Sequence, residues 1–170
     1  MNEQQILIRQ ATKDDISTIM ELILLKAEFD GCLDSLEATP QKLEDTIFCQ
    51  NPLAFILLAE IDESTIGFAS YHRIYSTFLA KPGIWLDDLY IKAQYRHCGV
   101  GTALINHLCG INENIGGARI DWIVRVNNAP AVKFYEKMGA KIIPQVRLCR
   151  LEREAISCRA QENDKFLLET

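Results

Sequence analysis

The chain has 170 residues, a formal net charge of −5 and a pI near 5.2. Its length, with 48% hydrophobic and 24% charged residues, fits one soluble domain with its own core. The acidic balance argues against a general nucleic-acid surface. Met1 to Gln10 lacks a signal-peptide pattern, and no apolar run nears the about 20 residues of a membrane span.

In chain order, Gln5 to Gln10 alternates and predicts a strand. Thr12 offers an N-cap, with Asp14 and Asp15 in the first turn. The stripe Ile16, Ile19, Met20, Ile23, Leu24 and Ala27 predicts a helix to about Phe29, ended by Gly31. Thr39-Pro40 opens a second helix through Phe48, and Asn51-Pro52 breaks it. Leu53 to Ile61 and Thr65 to Tyr75 predict a hairpin around Asp62-Glu63-Ser64. Lys81-Pro82-Gly83 reads as the next turn, leading into a strand from Ile84 to Lys92. A helix containing Val100, Ala103, Leu104, Leu108 and Ile111 follows. Arg119 to Val126 is expected as a central strand, Ala129 to Met138 as a helix closed by Gly139, and Lys141 to Ile143 and Val146 to Leu151 as the last strands. The polar tail from Glu152 is expected to be poorly specified, with a small packed segment at Phe166 to Leu168. The order predicts an α/β fold with a mixed sheet.

The organising stretch is Leu86 to Leu104, where a strand turns through Arg96-His97-Cys98-Gly99-Val100-Gly101 into a helix. The first N–H groups of a helix lack intrahelical partners, and the helix dipole there favours anions. Glycines let a phosphate approach the backbone. No Gly-Lys-Ser/Thr follows, so this is not a Walker loop, and no third glycine completes a dinucleotide fingerprint. The spacing is Arg-x-x-Gly-x-Gly. Six cysteines lack zinc spacing, and without a secretory signal they read as reduced thiols. No metal is expected, and the three histidines are not clustered.

This turn resembles the acetyl-CoA motif of the GNAT N-acetyltransferases. A second segment, Asn128 to Ala140, resembles that family's Asn-x-x-Ala-x-x-x-Tyr-x-x-x-Gly stretch through Asn128, Ala131, Tyr135 and Gly139. The resemblance spans roughly Ile6 to Leu151. It implies the GNAT fold, with a mostly antiparallel mixed sheet flanked by helices, in a single domain with a core from about 5 to 151. It also implies a homodimer, with acetyl-CoA as co-substrate and direct attack in a ternary complex; with no secretory signal, a cytoplasmic location is expected.

By resemblance, Arg96, His97, Cys98, Gly99, Val100, Gly101 and Thr102 would line the pyrophosphate. Leu89, Tyr90 and Ile91 would offer backbone groups to the pantetheine, and Asn128 would hydrogen-bond that arm. His97 stands where the family commonly has glycine, and Cys98 where it often has lysine. Tyr135 is the acid candidate for the departing thiolate. The Leu-Asp-Asp-Leu segment resembles Leu-Glu-Asp-Phe of the spermidine/spermine and thialysine N-acetyltransferase branch. That makes Asp87 the base candidate, one methylene shorter than glutamate.

Amine acetylation needs such a base, because an alkyl ammonium with pKa about 10 is not nucleophilic. Adjacent strand residues point to opposite faces, so at most one of Asp87 and Asp88 is expected in a given cleft. Glu28 and the acidic stretch after it, with Asp87 and Asp88, would receive a small cationic amine such as a polyamine, diamine or lysine-like amine. An amino-acid or protein N-acetyltransferase and a non-catalytic acyl-CoA-binding module are the alternatives. Neither nucleic acid nor a membrane is an expected partner.

Overall fold

The computed structural model describes residues 5–168, except the side chains of residues 163–168. Two compact units divide the chain, residues 1–127 and 128–170.

The first unit is a five-stranded sheet in the order β1-β2-β3-β4-β5. These are β1 (Leu7–Gln10), β2 (Phe55–Ile61), β3 (Ser64–Ser76), β4 (Lys81–Ile91) and β5 (Ile120–Asp121). Successive pairs from β1 to β4 are antiparallel, and β4 and β5 are parallel. This is the mixed, mostly antiparallel α/β arrangement that the sequence pattern implies.

Alternation along β2 explains why helices cover both faces. Ile56 and Leu58 join Phe68 and Tyr90 beneath Ile19 and Leu22 of α1 (Ile16–Asp30) and Leu43 of α2 (Pro40–Ile47). The helix α3 (Val100–Asn114) packs on β1, β2, β3 and β4, burying Val100, Leu104, Ile105 and Leu108. A short 3-10 turn, Lys13–Asp15, precedes α1. There the Thr12 N–H donates to Asp15 Oδ2 at 2.8 Å. Arg9 of β1 bridges Asp15 and Glu60 of β2, each at 2.7 Å, so one guanidinium joins two strands to the start of α1. In the second helix, Thr39 accepts the Lys42 N–H and Pro40 takes the first position.

Two expectations are corrected in this unit. The turn before β4 is the loop 77–80, not Lys81-Pro82-Gly83, because β4 already pairs with β3 from Lys81. Gly83 serves close packing: a Cβ there would meet the Arg119 carbonyl oxygen at 2.8 Å. The expected strand from Arg119 to Val126 is only Ile120–Asp121, and Ile123 and Val126 are exposed. The extended pairing fails because β5 is the sheet's last strand and meets β4 only at residues 84 and 85.

In the second unit, α4 (Ala129–Lys137) forms as expected, with Asn128 capping the Ala131 N–H at 3.3 Å. Residues 141–151 form no strand and are exposed throughout. Pro144 removes a ladder donor, and cations interleave the apolar positions. The polar tail, expected to be irregular, forms α5 (Arg153–Leu168). The side chains of the expected packed segment Phe166 to Leu168 lie outside the described residues.

Candidate active site

Strand β4 carries the site, and its register explains how. Ser70 faces Asp88, but Tyr71 faces Leu86, leaving Asp87 as an extra residue. A one-residue bulge breaks the alternation of side chains. Asp87 and Asp88 therefore line the same cavity of about 180 Å³, together with Ile23, Ile47, Ser70 and His72. The expectation that only one of the pair can face a given cleft is thus corrected. Asp87 is exposed. Asp88 is engaged: Oδ1 is 2.9 Å from Lys26 Nζ, and Oδ2 accepts from Ser70 Oγ at 3.3 Å.

Lys26 also bonds Asp30. Burial works to lower the Lys26 pKa, but the Asp30 hydrogen bond and the Asp88 charge outweigh it and the net direction is upward. Glu28 is exposed on the last turn of α1.

Beyond the bulge, β4 continues as Leu89, Tyr90 and Ile91, opposite Ala69, Phe68 and Gly67. Among the described residues this end pairs with β3 alone, because β5 reaches only residues 84 and 85. One backbone edge of β4 is thus left open beside the turn that follows.

The turn itself is built by backbone. Gly99 is the N-cap of α3, with φ +87° and no side-chain cap, and no acidic residue stands in the first helical turn. A Cβ at Gly99 would meet only Ile6 Cδ1, at 4.0 Å, so conformation rather than space selects glycine there. The Ala103 N–H closes on the Gly99 carbonyl at 2.9 Å. The preceding N–H groups, through Val100, Gly101 and Thr102, have no intrahelical acceptor. His97 also has a positive φ of 64°, a conformation that histidine tolerates better than most residues. Cys98 is exposed, with its thiol 3.5 Å from the Arg96 carbonyl oxygen.

Arg96 turns back on the fold. Its Nε donates to the Ile91 carbonyl at 3.0 Å, and its guanidinium lies 4.5 Å from the Phe29 ring centroid and 5.7 Å from that of Tyr90.

An uncapped helix start beside an open strand edge, with carboxylates one bulge away, is a specific arrangement, and a family model decides what it belongs to. The model of the acetyltransferase (GNAT) family matches residues 20–140. The chain belongs to the GNAT family. It is 36% identical to L-ornithine N5-acetyltransferase NATA1 of Arabidopsis thaliana, over 88% of this chain and 85% of that protein. It is 32% identical to a thialysine N-epsilon-acetyltransferase of Mus musculus, over 79% and 83%. In fold it is similar to an integron cassette protein of V. cholerae, with a TM-score of 0.74 and 23% identity, over 91% and 97% of the two chains.

As a GNAT enzyme, the chain is an acetyl-CoA-dependent N-acetyltransferase. The uncapped amides at α3 and the absence of a carboxylate in its first turn fit a diphosphate. Among the described residues, no group of His, Cys, Asp or Glu is placed to hold a metal ion.

The first unit brings together Asp87, Asp88, Leu89 to Ile91 and the turn from Arg96 to Thr102. Asn128 and Tyr135 stand in the second unit, on α4. Tyr135 is half-buried, its ring 5.2 Å from that of Phe134. Sequence reasoning missed Ser70, His72 and Lys26. His72 follows Ser70 by two on β3, a period that puts both on one face. Lys26 lies on the sheet-facing stripe of α1, seven residues after Ile19. The bulge has no local sequence signal.

Proposed function

We propose that this enzyme acetylates a primary amine of a small cationic molecule, a polyamine, diamine or lysine-like amine, with both substrates bound at once. The observation that carries this reading is the bulge, which sets an exposed carboxylate at a small cavity next to the open edge of β4. Acetyl-CoA would supply the thioester carbonyl. The amides of Gly99 to Thr102 would hold its diphosphate, and Leu89 to Ile91 would orient its arm through backbone groups, with Asn128 adding a side-chain hydrogen bond. Asp87 would take the acceptor ammonium's proton, directly or through one water, leaving the amine free to attack. Tyr135 Oη would give a proton to the departing sulfur. Glu28 would add negative charge around the acceptor, and Asp88 would line its cavity while paired with Lys26.

Relatives named for L-ornithine and thialysine favour the lysine-like end of this range, and with it the second reading, an amino-acid acetyltransferase. The sequence resemblance supports a homodimer, and we read its location as cytoplasmic. We read the chain as one transferase domain, because the family model runs through residues 127 and 128.

A thiol-release assay with acetyl-CoA over diamines, polyamines, amino acids and peptides tests the proposal. The fastest CoA release should come from small amines with a second cationic group. Tight acetyl-CoA binding with no release from any amine would remove the proposed acceptor class.

A further inference from the structure

A lysine stands on the side of α1 that faces the sheet, where its neighbours on the stripe are Ile19, Leu22 and Ile23. Its side chain is only 20% exposed. A charge held there needs partners, or desolvation disfavours it. Lys26 has two, Asp30 one turn along and Asp88 across on β4. Asp88 is tied a second time. Its backbone N–H donates to Ser70 Oγ at 3.1 Å, and the Ser70 hydroxyl donates to Asp88 Oδ2 at 3.3 Å. The contacts of Asp88 with Ser70 and Lys26 fall at the point where the β3–β4 register shifts.

A bulge leaves its extra residue without a ladder partner. Asp87 therefore owes its direction to whatever fixes the next residue. We propose that Lys26, Ser70 and Asp88 form a clamp that holds the β4 bulge, so that Lys26 and Asp88 are positioning residues which set Asp87 in the acceptor cavity.

The two neighbouring carboxylates then divide their work. Asp88 is neutralised by Lys26 and spends both oxygens within the protein, while Asp87 keeps its oxygens for the acceptor. The kinetic consequence rests on the acetyl-transfer reading above; the structural one does not.

Lys26→Met tests the clamp. It should lower kcat for the best amine on the order of tenfold, through misplacement of Asp87, while the KM for acetyl-CoA stays unchanged. Lys26→Arg should recover most of the loss. Hydrogen exchange at the Asp88 amide should quicken in Lys26→Met and in Ser70→Ala, a smaller change that serves if Lys26→Met does not fold.

Wild-type turnover in Lys26→Met, or tighter binding of dicationic acceptors with unchanged exchange, would overturn the clamp and make Asp88 an acceptor contact. If the wild-type protein acetylates no amine, the functional reading fails and exchange alone decides: quicker exchange supports the clamp, and unchanged exchange rejects it.

Discussion

The turn proposed to hold the cofactor and the cavity proposed to take the acceptor lie at two points of one strand-turn-helix segment and are made of different material. The turn after β4 is built by backbone: positive φ at His97 and Gly99, and amide groups at the start of α3. The cavity is built by side chains, with Asp87, Asp88, Ser70 and His72 on its wall. A backbone site tolerates exchange of side chains but not of conformation. A side-chain site shows the opposite sensitivity.

The largest effect that would sharpen this contrast is at Asp87. Asp87→Asn keeps the shape and removes the base, so kcat/KM for the amine should fall about a hundredfold or more. Acetyl-CoA affinity, measured by calorimetry, should be unchanged. A parallel loss of cofactor binding would break the comparison by joining the two sites.

At the turn the expectation reverses. A Cβ at Gly99 has no neighbour closer than 4.0 Å, yet in Gly99→Val a β-branched residue is strained at φ +87°. The left-handed conformation costs about 1–2 kcal/mol, so acetyl-CoA should bind about tenfold more weakly. Equal affinity in titrations of the variant and the wild type would show that the Gly99 conformation does not shape the cradle.

A scaffold variant is the control. Hydrogen bonds from Arg9 hold Asp15 well below the usual carboxylate range. An unfolded aspartate titrates near about 3.9. The folded pKa is the lower one, so the stabilisation is full above roughly pH 5 and is lost as pH falls through 4 and below. Asp15→Asn should cost about 1 kcal/mol at pH 7 and make the drop in stability towards pH 3 shallower, as read by urea unfolding. Both sites should keep their function at pH 7.

The same contrast explains what the sequence could tell. The turn was legible because its signals are local: an apolar strand, two glycines at fixed spacing and a 3.6-period helix. The cavity was half legible. Asp87 and Asp88 stood out, but their shared direction depends on a register set with Ser70 and Tyr71, more than a dozen residues away. Lys26 falls on the sheet-facing stripe of α1, but its partner Asp88 comes from β4, far along the chain. Lys81-Pro82-Gly83 looked like a turn because its composition is that of one. Pairing with Ser76, Tyr75 and Ile74 makes it the start of β4 instead. Residues 141–151 alternate like strands, but alternation alone supplies no neighbour with which to pair.

The smallest effect tests the backbone claim from its other side. His97 occupies a conformation, φ 64°, that glycine adopts without cost, and the family commonly has glycine at this place in the motif. If the turn works through its amides, the imidazole is dispensable, and His97→Gly removes a strained Cβ without removing a donor. Glycine's freedom in the unfolded chain opposes that gain, so net stability should move by less than about 1 kcal/mol. Acetyl-CoA affinity should stay within about twofold, well under 1 kcal/mol. The exposed thiol next to it can be removed in the same protein, because Cys98→Ala also leaves every amide in place. A double variant that lost cofactor tenfold would show that these side chains hold the diphosphate, and the cradle would then be as dependent on side chains as the cavity.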